Sequence, residues 1–457
     1  MQSESVHEHF SSRWGFLLAA IGAAVGLGNI WKFPYMLGSN GGAAFVLVYI
    51  LAIALIATPV MIGEMLLGRH GRMSAPHTLK TIAIEVGASP NWKYLGWLGI
   101  VALFLVLSFF SVIAGWSIAY IFKTASGAFS GLTPAEVSGV FDEFFHQPTI
   151  LIGWHALFMA ATIFIVSRGV KAGIEKAVTY MMPALFAMLI GLVIYGMVAG
   201  DFSQAVSYLF KPDFSKLTPE VILSAFGQAF FSVNVGIGAL LTYAAYLPDD
   251  VDIVKSSVII AVGDTLVALL AGLMIFPIVF AHGLDPGQGP GLIFVTLSTA
   301  FGSMPGGAFI GAIFFVLVFL AALSSSLSML EVSICKLIEK EGRSRSKMAM
   351  ALGSAIFLFG FLTVWSFNLL EDARPLGFTE RFSDMTPFGF IDFIITSVLM
   401  PVGALLYAVF IGWWLSKDMT MQALGLQDGL LFRSWRFLMR YVAPVAILVI
   451  FVSNLIE

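Results

Sequence analysis

The sequence Gly22-Ala23-Ala24-Val25-Gly26-Leu27-Gly28-Asn29 lies inside the first long apolar segment of the chain. A similar stretch lies inside the sixth apolar segment and reads Phe230-Phe231-Ser232-Val233-Asn234-Val235-Gly236-Ile237-Gly238. Each glycine costs a helix about 1 kcal/mol relative to alanine. At membrane depth, irregular backbone is stable only where it is buried in protein or lines a polar cavity. These two stretches therefore predict interrupted helices.

The composition places these segments in a membrane. Of the 457 residues, 59% are apolar and only 11% are charged, whereas soluble domains carry about 25% charged residues. The mean hydropathy of +0.93 agrees. Cys335 is the only cysteine, which excludes a disulfide-rich class. The net charge of −3, with no basic block, excludes nucleic acid as a partner. A polytopic protein of the lipid bilayer remains.

Continuous apolar runs predict eleven membrane-spanning helices and not a β-barrel. The first run is too long for the core of a signal peptide. Most of the 24 Lys and Arg residues fall on the side of the N-terminus. This asymmetry predicts a cytoplasmic N-terminus and an outer C-terminus in the plasma (inner) membrane. The predicted spans are 13–37, 43–70, 92–124, 150–167, 174–199, 220–246, 253–281, 305–338, 347–366, 388–415 and 439–456.

The two breaks have a structural and a functional interpretation. Gly22 and Gly26 form a small-xxx-small face, which is typical of close helix packing. The breaks, however, fall in spans one and six, the first members of two five-helix sets. Paired interruptions at matching places indicate a transporter built from inverted repeats. In such a protein the half-helix N-termini face an anion, and the freed carbonyls face a cation.

Polar residues within the other spans support the functional interpretation. Ser324, Ser325 and Ser326 follow one another in span eight. Transmembrane serines often bond to their own helix, but hydroxyls beside carbonyls also suit sodium. Asp264 is an acid within span seven, and intramembrane carboxylates usually serve a function. Glu64 in span two either reaches water at the membrane surface or braces the interior.

The chain lacks the sequence motifs of an enzyme. Its seven histidines are scattered, mostly in tails and loops, and form no metal-binding pattern. No HExxH, GxSxG or P-loop motif occurs. The sequence therefore predicts a protein that is not an enzyme.

Several motifs resemble those of the neurotransmitter:sodium symporter family. Gly22–Pro34 followed by Asn40–Phe45 is similar to the family's first-helix signature, and Gln228–Tyr246 resembles its sixth helix. Gly173 and Pro183 reproduce a fifth-helix pattern. The resemblance spans essentially the whole chain. It implies an all-α bundle of 5+5 inverted repeats with helices 1 and 6 unwound. Residues 1–212 would form the first repeat, 213–416 the second, and 417–457 a cytoplasmic loop and the eleventh helix.

The resemblance also implies two sodium sites and a substrate pocket. The first sodium site would use the Ala24 carbonyl and the side chains of Asn29, Ser232 and Asp264. The second would use the carbonyls of Gly22, Val25 and Ala321 and the hydroxyls of Ser324 and Ser325. The substrate pocket would comprise Ala24, Gly26, Leu27, Gly28, Val106, Phe110, Phe231, Ser232, Asn234, Ile237, Ser325 and Met329.

The family's gates also have counterparts. Lys32 and Asp392 match an outer gate pair, and Tyr246 and Glu339 match inner-gate positions. His7 and Phe10 stand where the family carries an Arg and a Trp in the N-terminal tail. Glu64 matches a glutamate that braces the unwound segments.

Together these features predict a sodium-coupled symporter that imports hydrophobic, aliphatic or aromatic L-amino acids by alternating access. Family members usually carry Asn where this chain has Asp264. A fixed carboxylate beside the first sodium predicts transport without chloride. Two alternatives stay open: a proton-coupled carrier of the same fold, in which Asp264 titrates, and a non-transporting sensor or channel. The oligomeric state is not predicted.

Overall fold

The computed structural model describes residues 10–248, 251–287, 289–339, 343–378 and 382–456, and within them it contains helices and no strand. The helices are α1 Arg13–Ala24, α2 Gly28–Ser39, α3 Ala43–Gly71, α4 Ala75–Glu85, α5 Pro90–Ala125, α6 Pro134–Phe145, α7 Pro148–Ser167, α8 Val170–Ala199, α9 Phe202–Phe210, α10 Pro219–Ser232, α11 Ala239–Ala245, α12 Ile253–Ala281, α13 Thr296–Ser303, α14 Gly307–Ile338, α15 Arg345–Trp365, α16 Pro387–Trp414, α17 Lys417–Leu424 and α18 Leu430–Ser453.

Both glycine-rich stretches are breaks between helices. The first separates α1 from α2, and the two helices are bent by 46°. The second separates α10 from α11 and spans residues 233–238. There Asn234, Gly236 and Gly238 have φ angles of +53°, +89° and +72°. Glycine adopts this left-handed region without strain, whereas most side chains do not. The helix therefore ends where these residues begin.

The remaining spans differ little from the prediction. In the described part of the chain, nine helices are long and apolar enough to cross a membrane, and the bent pair α1 and α2 makes a tenth. The sixth predicted span is divided between α10 and α11. The last helix begins at Leu430, not at residue 439, because its first turns are amphipathic and escape a hydropathy search. The fifth begins at Val170, with a π-helical turn through Glu175.

The two broken helices lie in the interior of the bundle. α1 packs against α8, α12 and α14, and α11 packs against α3. The long helices α5 and α14 pack extensively against each other. Large apolar side chains such as Phe164, Ile194 and Val262 are exposed on the outside. A soluble protein rarely exposes so many, so the exterior is suited to lipid and the polar groups are kept near the breaks.

Candidate ion and substrate site

Three predicted side chains meet beside the two breaks. The Asn29 amide nitrogen donates to Ser232 Oγ at 2.9 Å, to Asp264 Oδ1 at 2.8 Å and to the Asp264 carbonyl at 3.0 Å. Ser232 Oγ donates to Asp264 Oδ2 at 2.7 Å. All three residues are buried. This cluster joins α2, α10 and α12. Asn29 and Ser232 are 203 residues apart in the chain.

Helix breakage places Asn29 in this cluster. The Asn29 amide oxygen accepts the Gly26 N–H at 3.0 Å, across the end of the break. That N–H has lost its helical partner because the helix stops at Ala24. The side chain thus satisfies a freed backbone donor on one side and reaches the acid on the other. Ala24, the fourth predicted member, lies buried at the end of α1.

Tyr49 is a further member that the sequence reasoning missed. Its hydroxyl lies 3.2 Å from Asp264 Oδ2 and 3.1 Å from Ser232 Oγ, and the side chain is fully buried. The sequence did contain one indication of a polar role, since Tyr49 carries the only polar side chain in the apolar run 43–57. The Asp264 carboxylate is consequently bound by donors from three helices. No group of three or more His, Cys, Asp or Glu residues that could hold a metal occurs within the described residues.

A second oxygen cluster forms where α14 faces the end of α1. Ser325 Oγ lies 3.3 Å from the carbonyls of both Gly22 and Val25. Ser324 Oγ lies 2.9 Å from the Ala321 carbonyl and 3.4 Å from the Val25 carbonyl. All five predicted members of the second sodium site are therefore together. Ser326 points elsewhere and shares a hydrogen bond of 2.8 Å with Thr162 on α7.

Close approach explains two glycines of the first break. A β-carbon at Gly26 would lie 2.3 Å from Ser325 Oγ, which is far inside van der Waals contact. At Gly28 it would lie 3.2 Å from the Phe231 ring. The absence of side chains thus allows the broken segment to lie against α14 and α10. Leu27, between them, is buried.

The second break is held by two polar side chains, the buried Glu64 and the partly buried Asn234. Glu64 Oε1 accepts the Gly236 N–H at 2.6 Å, so this glutamate braces the interior and does not reach water. The Asn234 amide donates to the Ala23 carbonyl at 2.7 Å. Asn234, which the sequence placed in the substrate pocket, therefore also bridges the two broken helices.

The predicted apolar lining is mostly buried. Val106, Phe110, Ile237 and Met329 are each less than 5% exposed. Phe231 is half-buried, and its ring contributes to a cavity of about 230 Å³ that Lys32 and Asp392 also line. Other aromatic rings, among them Phe109 and Trp116, complete this cavity. The cavity lies on the α2 side of the breaks, and the N-terminal segment lies on the other side of them.

The outer gate pair is not joined in this structure. Lys32 Nζ lies over the Phe231 ring, 4.0 Å from its centroid. Within the described residues, no ion pair of 4.0 Å or less links Lys32 to Asp392, although both face the same cavity. The contact expected of this pair is therefore absent, because the cavity separates the two side chains and the ring binds the ammonium.

The two predicted inner-gate residues contact different side chains. The Tyr246 hydroxyl donates to Glu331 Oε1 at 2.8 Å, and Glu331 also pairs with Arg345. Glu339 instead accepts from the Ser74 N–H at 2.5 Å and lies 2.5 Å from His77 Nδ1. The sequence reasoning missed Glu331 and Arg345, although an acid within a span was a signal for the first.

The N-terminal segment closes the same end of the bundle. The Phe10 N–H donates to the Tyr246 carbonyl at 3.3 Å, and the Phe10 ring packs edge-on against Tyr243 and Tyr246. Ser11 donates its N–H at 2.9 Å and its hydroxyl to Glu175 on α8. His7 lies outside the described residues. This end of the bundle is thus covered by aromatic packing and by hydrogen bonds.

The surroundings of the His77 ring shift its pKa. His77 lies on α4, outside the spanning helices, and burial lowers its pKa. The neighbouring Glu339 carboxylate opposes this shift, and the Lys336 ammonium adds to it. The neutral ring is therefore favoured at neutral pH.

Comparisons with known proteins agree with this architecture. The family model described as the sodium:neurotransmitter symporter family matches residues 7–131 and 148–457. An uncharacterized sodium-dependent transporter, YhdH of Bacillus subtilis, is 39% identical over 99% of this chain and 98% of its own length. One from Haemophilus influenzae is 33% identical over 98% of both chains. A crystal structure of MhsT in complex with L-phenylalanine matches with a TM-score of 0.90 and 41% identity, over 98% of this chain and 100% of that chain.

These matches have direct consequences for fold and class. The bundle has the LeuT-type inverted-repeat fold, and the family is one of transporters and not of enzymes. The chain belongs to the sodium:neurotransmitter symporter family.

Proposed function

We propose that this protein imports hydrophobic L-amino acids together with sodium, by alternating access. The observation that carries the proposal is the pair of oxygen clusters, one on each side of the α1–α2 break. Freed carbonyls and nearby hydroxyls are typical sodium ligands in transporters with broken helices. Two clusters suggest two sodium ions.

The first sodium ion would be held by the Asp264 carboxylate, the Ser232 hydroxyl, the Asn29 side chain and the Ala24 carbonyl. In the structure the Asn29 amide and the Tyr49 hydroxyl direct their positive ends at this carboxylate. A sodium ion offers the same acid a stronger partner, since opposite charges attract strongly where water is excluded. The second ion would be held by neutral oxygens only, those of Gly22, Val25, Ala321, Ser324 and Ser325.

Asp264 supports transport without chloride. Two sodium ions in a low-dielectric interior need compensating negative charge. Asp264 supplies one fixed charge within hydrogen-bond distance of the other members of the first site. We therefore expect uptake to be unchanged when gluconate replaces chloride on both sides of the membrane.

The substrate pocket favours an amino acid with an apolar side chain. The N-terminus of α2, at the first break, is suited to the carboxylate of a substrate. The buried Val106, Phe110, Ile237 and Met329 offer apolar surface to the substrate side chain, and methionine adapts to different shapes. MhsT, similar over nearly the whole chain, was crystallised with L-phenylalanine. Tryptophan should accordingly compete far better than tryptamine, which lacks the carboxylate.

Alternating access would require movements at both ends of the broken helices. The open Lys32–Asp392 cavity and the covered N-terminal end correspond to an outward-facing arrangement. Closing the outer gate and releasing the N-terminal segment before α1 from Glu175 and Tyr246 would expose the second site to the cytoplasm. The π-helical turn Val170–Glu175 is a place where α8 could unwind. This scheme assumes the cytoplasmic N-terminus that the lysine and arginine distribution predicts.

Uptake into proteoliposomes tests the proposal. Labelled phenylalanine should accumulate against its gradient when sodium is outside, and replacing sodium by choline at constant pH should abolish accumulation. A proton-coupled carrier is the second candidate, because Asp264 is a buried carboxylate beside the pocket. Accumulation that persists in choline and responds to a pH gradient would favour it. No accumulation under either gradient would indicate a sensor or channel.

A further inference from the structure

A basic cluster lies where α17 meets α18. It consists of Lys417, Arg433, Arg436 and Arg440 with one acid, Asp428. We call these five residues the α17–α18 basic cluster. Four cations and one carboxylate leave it a formal charge of +3. The N-terminal segment lies at the same end of the bundle. Phe10 contacts Tyr246, and Arg69 at the end of α3 binds the carbonyl of Val251, shortly after Tyr246, and that of Ala423 on α17.

Among the described residues, Lys417 and Arg433 share the single carboxylate of the cluster. Asp428 accepts from Lys417 at 2.5 Å and from Arg433 at 2.9 and 3.1 Å. These hydrogen bonds, those from Arg433 first, hold the pKa of the Asp428 carboxyl well below its usual range. Asp428 is therefore charged and shared by two partners at neutral pH.

Arg436 and Arg440 have neutral partners. Arg436 donates to Thr420 Oγ1 and to the Leu415 carbonyl, both at 3.0 Å. Arg440 lies over the Trp413 ring, 4.3 Å from its centroid, and its buried Nε has no hydrogen-bond partner among the described residues. Across the described ranges, no carboxylate lies within 4.0 Å of either guanidinium. The cluster therefore has uncompensated charge and an unused donor.

The cluster surrounds an open cavity of about 360 Å³. Guanidinium groups bind phosphate oxygens in pairs, with both geometric fit and charge. The cavity is lined by Lys417, Asp428, Phe432, Arg433, Arg436, Phe437, Arg440 and Tyr441. A phosphate group can thus enter between several cations while apolar rings remain beside it.

The surroundings favour a lipid over a soluble anion. Trp413, Leu430, Phe437 and Tyr441 are exposed around the cluster. Aromatic side chains at this level of a spanning helix are typical of the membrane–water interface. A phosphate held here by Arg440 would lie beside exposed apolar side chains. Acyl chains of a lipid can pack against these side chains, whereas a free anion gains nothing from them.

We propose that the α17–α18 basic cluster binds the headgroup of an anionic phospholipid, with its phosphate between Arg436 and Arg440 and its acyl chains against Trp413 and Tyr441. The site is independent of sodium and substrate, so its test is separate from that of transport. The site is also distinct from the general excess of Lys and Arg residues on the predicted cytoplasmic side of the chain.

Native mass spectrometry of the full chain in detergent tests the proposal. Phosphatidylglycerol should remain bound more tightly than phosphatidylcholine. R440Q should weaken phosphatidylglycerol binding about fivefold, since each basic residue near an anionic lipid contributes roughly that factor. R168Q is the matched control: Arg168 also lies over an aromatic ring, 4.0 Å from the centroid of Phe164, but it does not line this cavity. It should leave binding unchanged.

A second variant changes affinity in the opposite direction. D428N removes the competing carboxylate and frees Lys417 and Arg433, so it should strengthen phosphatidylglycerol binding about fivefold. It keeps the test valid if R440Q folds poorly. Equal losses in R168Q and R440Q, or no gain in D428N, would overturn the site. Displacement of the lipid by an equal concentration of inorganic phosphate would show that the ligand is a soluble anion and would overturn the lipid assignment.

Discussion

Ser325 on α14 bonds differently from Ser111 and Ser117 on α5, although both helices are long and largely buried. On α5, Ser111 Oγ donates to the Leu107 carbonyl and Ser117 Oγ to the Ala114 carbonyl, both at 2.6 Å and within the same helix. On α14, Ser325 Oγ reaches carbonyls of α1 at 3.3 Å. The difference arises because α1 is broken and offers carbonyls without helical partners. A serine in a spanning helix becomes a candidate ligand when a broken helix lies opposite.

Removing the α14 hydroxyls should have the largest effect on transport. Ser324→Ala with Ser325→Ala should raise the half-saturating sodium concentration about 100-fold, because each contact to a charged group contributes about 1.5–3 kcal/mol. Sodium-dependent phenylalanine uptake measures it. Ser111→Ala with Ser117→Ala on α5 is the control and should leave that concentration unchanged. Similar shifts in both double variants would remove the distinction between the two helices.

Asp264 is the charged ligand proposed for the first sodium ion, whereas the Ser324 and Ser325 hydroxyls proposed for the second are neutral. Asp264→Asn should raise the half-saturating sodium concentration about 10- to 100-fold, since a charged ligand is lost. Chloride should partly restore uptake in the variant, whereas the unmutated protein should transport equally in chloride and gluconate. Uptake in proteoliposomes with each anion measures both effects. A large loss of uptake by the unmutated protein in gluconate would contradict the role given to this carboxylate.

The pocket wall at the second break should determine the size of the substrate. Ile237→Phe adds volume at a buried position, and overpacking of a core typically costs about 1–3 kcal/mol. Tryptophan affinity should fall about tenfold while leucine is retained. Ile237→Leu, with nearly the same volume, is the control. Competition against labelled phenylalanine distinguishes them, and a variant that keeps tryptophan but loses leucine would show that Ile237 does not line the pocket.

The smallest change in sodium requirement is expected from a comparison of two buried tyrosines. The Tyr49 hydroxyl lies 3.2 Å from Asp264 Oδ2, whereas the buried Tyr120 hydroxyl on α5 has no hydrogen-bond partner within the part of the chain that the structure describes. Tyr49→Phe should raise the half-saturating sodium concentration about fivefold, because a hydrogen bond is worth about 1 kcal/mol. Tyr120→Phe should not change it. The same uptake assay applies, and equal responses would separate Tyr49 from the sodium site.

The sequence alone determined the class of protein and the position of the breaks. Apolar runs predict spanning helices because the bilayer core admits no unpaired backbone groups. Glycines at 22, 26 and 28 and at 236 and 238 indicate the two breaks, because glycine weakens a helix and permits a positive φ. Both properties are local, so they can be read from neighbouring residues.

Only the tertiary structure decided which polar groups meet. Tyr49 joins Asp264 across 215 residues, and Asn234 reaches Ala23 across 211. Tyr246 binds Glu331 and not Glu339, and Lys32 lies over Phe231 and not beside Asp392. Such choices depend on how helices pack and on which cavity stays open, and a sequence pattern carries no measure of either. A residue's type sets what it can bind, but the fold selects its partner.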